Sequence, residues 1–76
     1  MSTKVETEQS AFRFTVKESG DGTPWIECEP YEPGLSAIGD GYLGLRLRDG
    51  IGITEAQEIA SLLNKKIKSI SHTRFL

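Results

Sequence analysis

The sequence predicts an α+β fold: a three-stranded antiparallel meander (β-β-β-α) with one C-terminal helix packed on one face. Two patterns predict it. Three short segments alternate apolar and polar residues, as half-buried strands do, and a later segment repeats apolar residues with the 3.6-residue period of an amphipathic helix. With 76 residues the chain is long enough for one domain and too short for two.

The strand segments are 12–17, 26–29 and 43–48. Period-two alternation puts Glu27 and Glu29 of the second segment on the same solvent face as the basic residues of the other two. Opposite charges on adjacent strands are favourable by about 0.2–1 kcal/mol per pair, so we expect the acidic strand to lie between the basic ones. The apolar residues expected on the inner face, under the helix, are Phe12, Phe14, Val16, Ile26, Cys28, Leu43, Leu45 and Leu47.

The connections between these strands differ in length. Residues 19–24 contain Asp-Gly and predict a hairpin between the first two strands. Pro30 and Pro33 end the second strand, because proline cannot donate to a ladder hydrogen bond. The connection 30–41 is longer than the roughly 2–6 residues usual in compact domains, and its apolar residues predict an ordered loop over one end of the sheet.

The helix is expected to begin near Thr54, because Thr54 and Gln57 have the spacing of a capping box. Its apolar stripe comprises Ala56, Ile59, Ala60, Leu63, Ile67 and Ile70. Outside the domain, which we place at 11–71, residues 1–10 are polar and predict a disordered N-terminal tail. Residues 72–76 have no helical pattern and predict a C-terminal tail.

Composition narrows the possible functions. The net charge of −2 gives no general attraction to nucleic acid or to anionic membranes. Cys28 is the only cysteine, so neither an intramolecular disulfide nor a cysteine-rich metal site is expected, and its inward position predicts a buried side chain. The sequence has no apolar stretch near ~18 residues and no secretion leader, so we expect a cytoplasmic location and no membrane partner.

No motif predicts catalysis or a cofactor. The G-x-G-x-x-G match at 39–44 precedes a strand, whereas a dinucleotide site needs these glycines to open a helix. Glu27, Glu29 and Glu32 fit no known metal-loop spacing, and His72 is the sole histidine. We therefore assign no catalytic, cofactor or metal residues and predict a non-enzyme; an enzyme would need a polar pocket near the 31–41 loop.

The leading functional prediction is a small protein-binding or adaptor module that self-associates or docks a protein partner. Trp, Tyr and Arg on an open sheet face resemble interface hot spots, although exposed aromatic residues also simply favour strands. The predicted interaction residues are Trp25, Tyr31, Leu35, Tyr42, Arg46 and Arg48.

The alternative prediction is an accessory nucleic-acid binder. Its phosphate contacts would be Lys65, Lys66 and Lys68 at the helix end, together with Arg46 and Arg48. The same lysines are also explained by helix electrostatics, because cations are stabilising near a helix C-terminus.

Overall fold

The computed structural model describes residues 5–31, 34–39 and 41–75. It has two antiparallel sheets, a two-stranded ribbon β1–β5 and a three-stranded sheet in the order β2-β3-β4. The elements are β1 Val5–Ser10, β2 Phe12–Glu18, β3 Pro24–Pro30, β4 Leu43–Arg46, α1 Ile53–Lys66 and β5 Ile70–Phe75. The predicted class, a small α+β fold with antiparallel strands and one helix, is confirmed, but the architecture has a second sheet that the sequence did not predict.

The structure corrects the prediction of two terminal tails, because β1 and β5 pair along their whole length. Cross-strand polar contacts accompany the pairing: Thr7 Oγ1 lies 2.9 Å from Thr73 Oγ1, and Arg74 Nη2 lies 3.3 Å from Glu6 Oε1. Such contacts join residues from opposite ends of the chain, so no local hydrophobic pattern reports them. Residues 1–4 of the predicted N-terminal tail and residue 76 lie outside the described residues.

In the three-stranded sheet, β3 lies between β2 and β4 and is antiparallel to both. Phe14 lies opposite Cys28, and Ile26 lies opposite Leu45. The strand carrying Glu27 and Glu29 is therefore the middle strand. The buried core cluster consists of Phe12, Phe14, Ile26, Cys28, Leu35 and Ala60.

Helix α1 packs on β2 and β3, with Ala60 in the core cluster, and its two buried residues Ala56 and Ala60 are 0% and 5% exposed. The prediction that the helix covers the whole inner face is corrected at β4. Leu43 and Leu45 are 38% and 40% exposed, although their neighbours on β3, Cys28 and Ile26, are 1% and 0% exposed. The inner face is therefore closed over two strands and open over the third.

Asn64 fixes the helix at the outer edge of the sheet. Its Nδ2 donates to the Phe14 carbonyl oxygen at 2.9 Å, and its Oδ1 accepts from the Phe14 N–H, also at 2.9 Å. Because β2 is an edge strand, the side-chain amide occupies the hydrogen-bonding positions that a further strand would use. Asn64 therefore both anchors α1 and closes the β2 edge at Phe14.

The helix ends differ from the sequence-based expectation. Gly52 is the N-cap residue and no side chain caps the helix, so the predicted capping box at Thr54 does not form. The helix ends at Lys66, and the N–H of the extended residue Ile67 bonds to the Leu63 carbonyl at 2.8 Å. Ile70, which the stripe assigned to the helix, begins β5.

The described part of the long loop, 34–39, is held by polar contacts to β1. Ser10 is buried, and its Oγ accepts from the Gly34 N–H at 3.1 Å. The Glu8 carboxylate accepts from the Ser36 N–H at 2.8 Å and from the Ser36 hydroxyl. These contacts join the ribbon to the loop and place Leu35 in the core. Residues 32, 33 and 40 lie outside the described residues, so the predicted role of Pro33 falls there.

Replacing Asn64 with Ala removes both hydrogen bonds to Phe14 and leaves a partly buried N–H and C=O unpaired. We expect Asn64→Ala to lower the free energy of unfolding by about 1–3 kcal/mol, as measured by chemical denaturation. Gln57→Ala, at an exposed site on the same helix, is the matched control and should stay within about 0.5 kcal/mol of the wild type. Equal stability of the two variants would contradict an anchoring role for Asn64.

Candidate interaction surface on strand β4

The sheet face turned away from α1, here called the outer face, carries an ion-pair network over β2 and β3. Arg13 Nη2 lies 2.7 Å from Glu29 Oε2, and Lys17 Nζ lies 3.7 Å from Glu27 Oε2 and 3.8 Å from Glu29 Oε1. The two carboxylate side chains are only 16% and 22% exposed. Their charges are therefore engaged within the sheet and are poorly placed to attract a partner.

This network separates the pKa values of the two carboxyls. The hydrogen bond from Arg13 is the largest cause that lowers the pKa of Glu29, to about 2. A hydrogen bond shared with Glu29 raises the pKa of Glu27 above its ordinary value, and partial burial acts in the same direction. Glu29 therefore keeps its charge at any physiological pH and is the fixed anion of the outer face.

The low pKa of Glu29 predicts a specific acid sensitivity. Its folded-state pKa lies below the unfolded value, so the stability that its charge contributes is present above about pH 4.3 and is lost as pH falls towards about 2. The raised pKa of Glu27 acts in the opposite sense and offsets part of that loss. We therefore measure the midpoint of chemical denaturation from about pH 5 to about pH 2. We expect the midpoint of Glu29→Gln to decline less over this range than that of the wild type.

Glu58→Gln, a neutral substitution on the exposed helix surface, controls for the change in net charge. It should decline with acid as steeply as the wild type. A wild-type curve that is no steeper than that of Glu29→Gln would show that the Arg13–Glu29 pair does not couple to folding.

Trp25 lies over the outer face of β4. It pairs with Arg46 across the sheet, and a Cβ built on Gly44 would lie 3.2 Å from Trp25 Cζ3 and 3.3 Å from Cε3. These distances are shorter than ordinary van der Waals contact, so the indole occupies the space that a side chain at position 44 would need. Gly44 therefore lets a partly buried tryptophan approach the strand closely.

Gly44→Val should displace the indole of Trp25 and expose it more to water. Because Trp25 is the only tryptophan, its fluorescence emission should shift to longer wavelength and its near-ultraviolet circular dichroism should weaken. Gly20→Val is the control, since nothing lies within 4 Å of a Cβ at that glycine. Unchanged emission in Gly44→Val would show that the indole does not depend on this contact.

The outer edge of β4 presents backbone hydrogen-bonding groups. Antiparallel pairs alternate between residues whose backbone groups point at each other and residues whose groups point away. The backbone groups of Phe14 point to Asn64, so those of its neighbour Cys28 point to β4 and meet Leu43. By the same alternation, Gly44 and Arg46 direct their N–H and C=O groups to the open edge of the sheet.

The structure gathers only part of the predicted interaction set. Trp25, Tyr42 and Arg46 lie on or beside β4, and Tyr42 is 61% exposed. We call Trp25 and the segment 42–46 the β4 surface; it comprises Trp25, Tyr42, Leu43, Gly44, Leu45 and Arg46. Leu43 and Leu45 were assigned to the core because alternation reports which face a side chain occupies and not whether anything covers that face.

The other predicted interaction residues lie elsewhere. Tyr31 is exposed but follows the far end of β3, about 20 Å along the strand from Trp25. Leu35 is 4% exposed and packs in the core, so its prediction as a contact residue is corrected: the loop turns its apolar side chain inward. Arg48 is exposed in the turn that follows β4.

The basic residues of the nucleic-acid alternative are exposed. Lys65 and Lys66 occupy the last turn of α1, where they complement the helix dipole, and Lys68 follows in the link to β5. Arg46 lies on β4 and Arg48 in the turn after it, whereas the helix that carries Lys65 and Lys66 packs on β2 and β3. The arginines and the lysines therefore lie on different elements. The alternative stays a prediction.

A cluster of polar side chains lies between the ribbon and the loop. Glu8 pairs with His72 across the ribbon, and hydrogen bonds from Ser36 are the largest cause that lowers the pKa of Glu8. The cavity here has a volume of about 120 Å³, far below the roughly 300–1,000 Å³ of small-molecule sites. The Ser36 hydroxyl bonds to the carboxylate. The cluster therefore acts as a structural link between loop and ribbon.

Cys28 and the acidic residues show no further site chemistry. Burial is the largest cause that raises the pKa of the Cys28 thiol, so the side chain is a poor nucleophile. Within 5–31, 34–39 and 41–75, no three His, Cys, Asp or Glu side chains are grouped as metal ligands would be. Glu32, the third member of the acidic cluster considered from sequence, lies outside those ranges.

Comparison of the chain with protein-family models, with curated proteins and with solved structures finds no significant match. In the described part of the chain, no helix has the length and apolarity that crossing a bilayer requires. Because a fold alone is compatible with many functions, the chemistry of the surface has to carry the functional inference.

Proposed function

We propose that this protein is a small protein-binding or adaptor module whose contact surface is the β4 surface. The observation that carries the proposal is the exposure of Leu43 and Leu45 on a strand whose outer edge pairs with no other strand in the described part of the chain. An extended segment of a partner pairs with such an edge through main-chain hydrogen bonds while its side chains cover the leucines. The role is one of binding and not of catalysis.

The exposed leucines supply a driving force for association. Burying a leucine side chain completely is worth about 1.5–3 kcal/mol, so covering side chains that are 38% and 40% exposed contributes on the order of 1 kcal/mol each. Trp25, Tyr42 and Arg46 add the residue types that dominate measured binding energies. The leucines face one side of β4, and the aromatic and basic residues face the other, so a partner strand contacts both sets.

Leu62 is the useful contrast within the same chain. It is 55% exposed, more than either leucine of β4, but it stands on the outer side of α1 with Glu58 and Lys65 as neighbours. Single exposed apolar residues are common on protein surfaces and need no partner. Exposure together with an unpaired strand edge is what distinguishes the leucines of β4 from Leu62.

We propose the cytoplasm as the place of action. A free cysteine is compatible with a reducing compartment, and Cys28 is free and buried. Self-association and binding of a foreign protein both follow from the same surface, and both are protein–protein contacts of the kind that the sequence predicts.

The surface is tested by comparing Leu45→Lys with Leu62→Lys, which place the same charge on two exposed leucines. Each protein is immobilised and exposed both to extract of its native host and to the purified wild-type protein. Bound proteins are quantified by mass spectrometry. We expect Leu62→Lys to retain the same proteins as the wild type. We expect Leu45→Lys to retain them about tenfold less or weaker still, which corresponds to a loss of about 1.4 kcal/mol or more of binding free energy.

Both variants should keep the far-ultraviolet circular dichroism of the wild type, since both sites are exposed. Equal retention by Leu45→Lys and the wild type would place the contact surface elsewhere. The nucleic-acid alternative would be favoured if retention by the wild type and by both variants fell steeply as salt rises and was abolished by added nucleic acid.

A further inference from the structure

The open edge of β4 restricts how another strand can pair with it. Gly44 and Arg46 share one parity, and this parity directs their backbone groups outward. Tyr42, the residue before β4, has the same parity in the sequence. When a second copy of the chain lies antiparallel along the edge, outward residues must face outward residues. Only a few registers satisfy this condition. Neighbouring allowed registers differ by a shift of the second strand by two residues.

One of these registers makes the segment 42–46 complementary to itself. When Gly44 lies opposite Gly44 of a second copy, Leu43 of each copy lies opposite Leu45 of the other on the inner face. The register therefore contains two such leucine pairs. These are the closely spaced, non-hydrogen-bonded pairs, with Cα atoms about 4.5 Å apart. On the outer face, Tyr42 lies opposite Arg46, a pairing of an aromatic ring with a guanidinium that is attractive.

The neighbouring registers are poorer. Starting from the register centred on Gly44, a shift of the second strand by two residues towards the N-terminus places Leu45 opposite Gly41. The same shift towards the C-terminus places Leu43 opposite Leu47, which already packs on the core. A further shift places Arg46 directly opposite its own copy, where like charges are destabilising. In the register centred on Gly44, the two Arg46 positions are separated by about 13 Å along the strands, more than the Debye length of about 8 Å at physiological salt.

We infer that the occupant of the β4 surface is a second copy of this chain, paired antiparallel through β4 with Gly44 at the two-fold axis. This inference rests on the proposed function and names its partner. The two sheets join into one continuous six-stranded sheet, and the four exposed leucines cover one another. Because only short strands meet, the contact belongs to the small interfaces below about 1,200 Å² and forms a weak, reversible dimer.

The pairing and its register are tested by disulfide formation between two single-cysteine substitutions, Leu43→Cys and Leu45→Cys. Paired residues of this kind have the Cα separation that a disulfide needs. Both substitutions are made in a Cys28→Ala background, because Cys28 lies opposite Leu43 within the chain and could pair with a cysteine placed there. The two variants are oxidised separately and as a mixture, and dimers are counted on non-reducing gels. We expect the mixture to form at least about tenfold more cross-linked dimer than either variant alone.

Leu62→Cys, on the outer side of α1, is the control for random collision. Cross-linking of Leu43→Cys with itself, or of Leu45→Cys with itself, above the level in the mixture would overturn the register. Cross-linking of the mixture no faster than that of the control would overturn the dimer. The wild type provides a second measurement without substitution, because its sedimentation coefficient should rise with concentration.

The same data separate this inference from the proposed function. A wild type that stays monomeric at every concentration, but retains a host protein that Leu45→Lys does not retain, leaves the binding surface standing and removes the second copy as its occupant. If the wild type is monomeric and the Leu45→Lys substitution changes the retention of no protein, both the binding surface and its proposed occupant are removed.

Discussion

The arrangement of this small protein depends on the pair of hydrogen bonds between the side chain of Asn64 and the backbone of Phe14. A helix is about 10 Å wide and strands lie about 4.8 Å apart, so a single helix covers roughly two strands. With α1 held at the β2 edge, those two strands are β2 and β3. The third strand is left uncovered, and the exposure of Leu43 and Leu45 is the geometric consequence.

The two halves of the sheet are therefore chemically unlike. Over β2 and β3 the inner face packs on the helix, the outer face carries the ion pairs of Glu27 and Glu29, and the outer edge is closed at Phe14. Over β4 the inner face and the edge are both open, and Arg46 forms no salt bridge among the described residues. The closed half supplies stability, while the open half supplies a surface that is rigid because β3 supports it.

Local patterns in the sequence account for the strands and the helix, and for little of what distinguishes the surface. Alternation at period two assigns Leu45 to the inner face but does not report the width of the layer above it. The ribbon was missed because β1 and β5 pair through polar contacts between the chain ends, with no apolar alternation in either strand. One signal was available: Asn64 lies beside the apolar stripe, where its side-chain amide can reach the backbone of the strand next to the helix.

An open strand edge is ordinarily a liability, because it invites unlimited pairing between chains. Here the edge is short, four residues in β4, and it carries the charge of Arg46 and the weak strand former Gly44 at its centre. These features disfavour most alignments with arbitrary strands. At the opposite edge of the sheet, Asn64 occupies the backbone N–H and C=O of Phe14 and so hinders pairing of another strand at that point. A two-fold contact uses the same edge of both copies, so pairing through β4 ends with two chains.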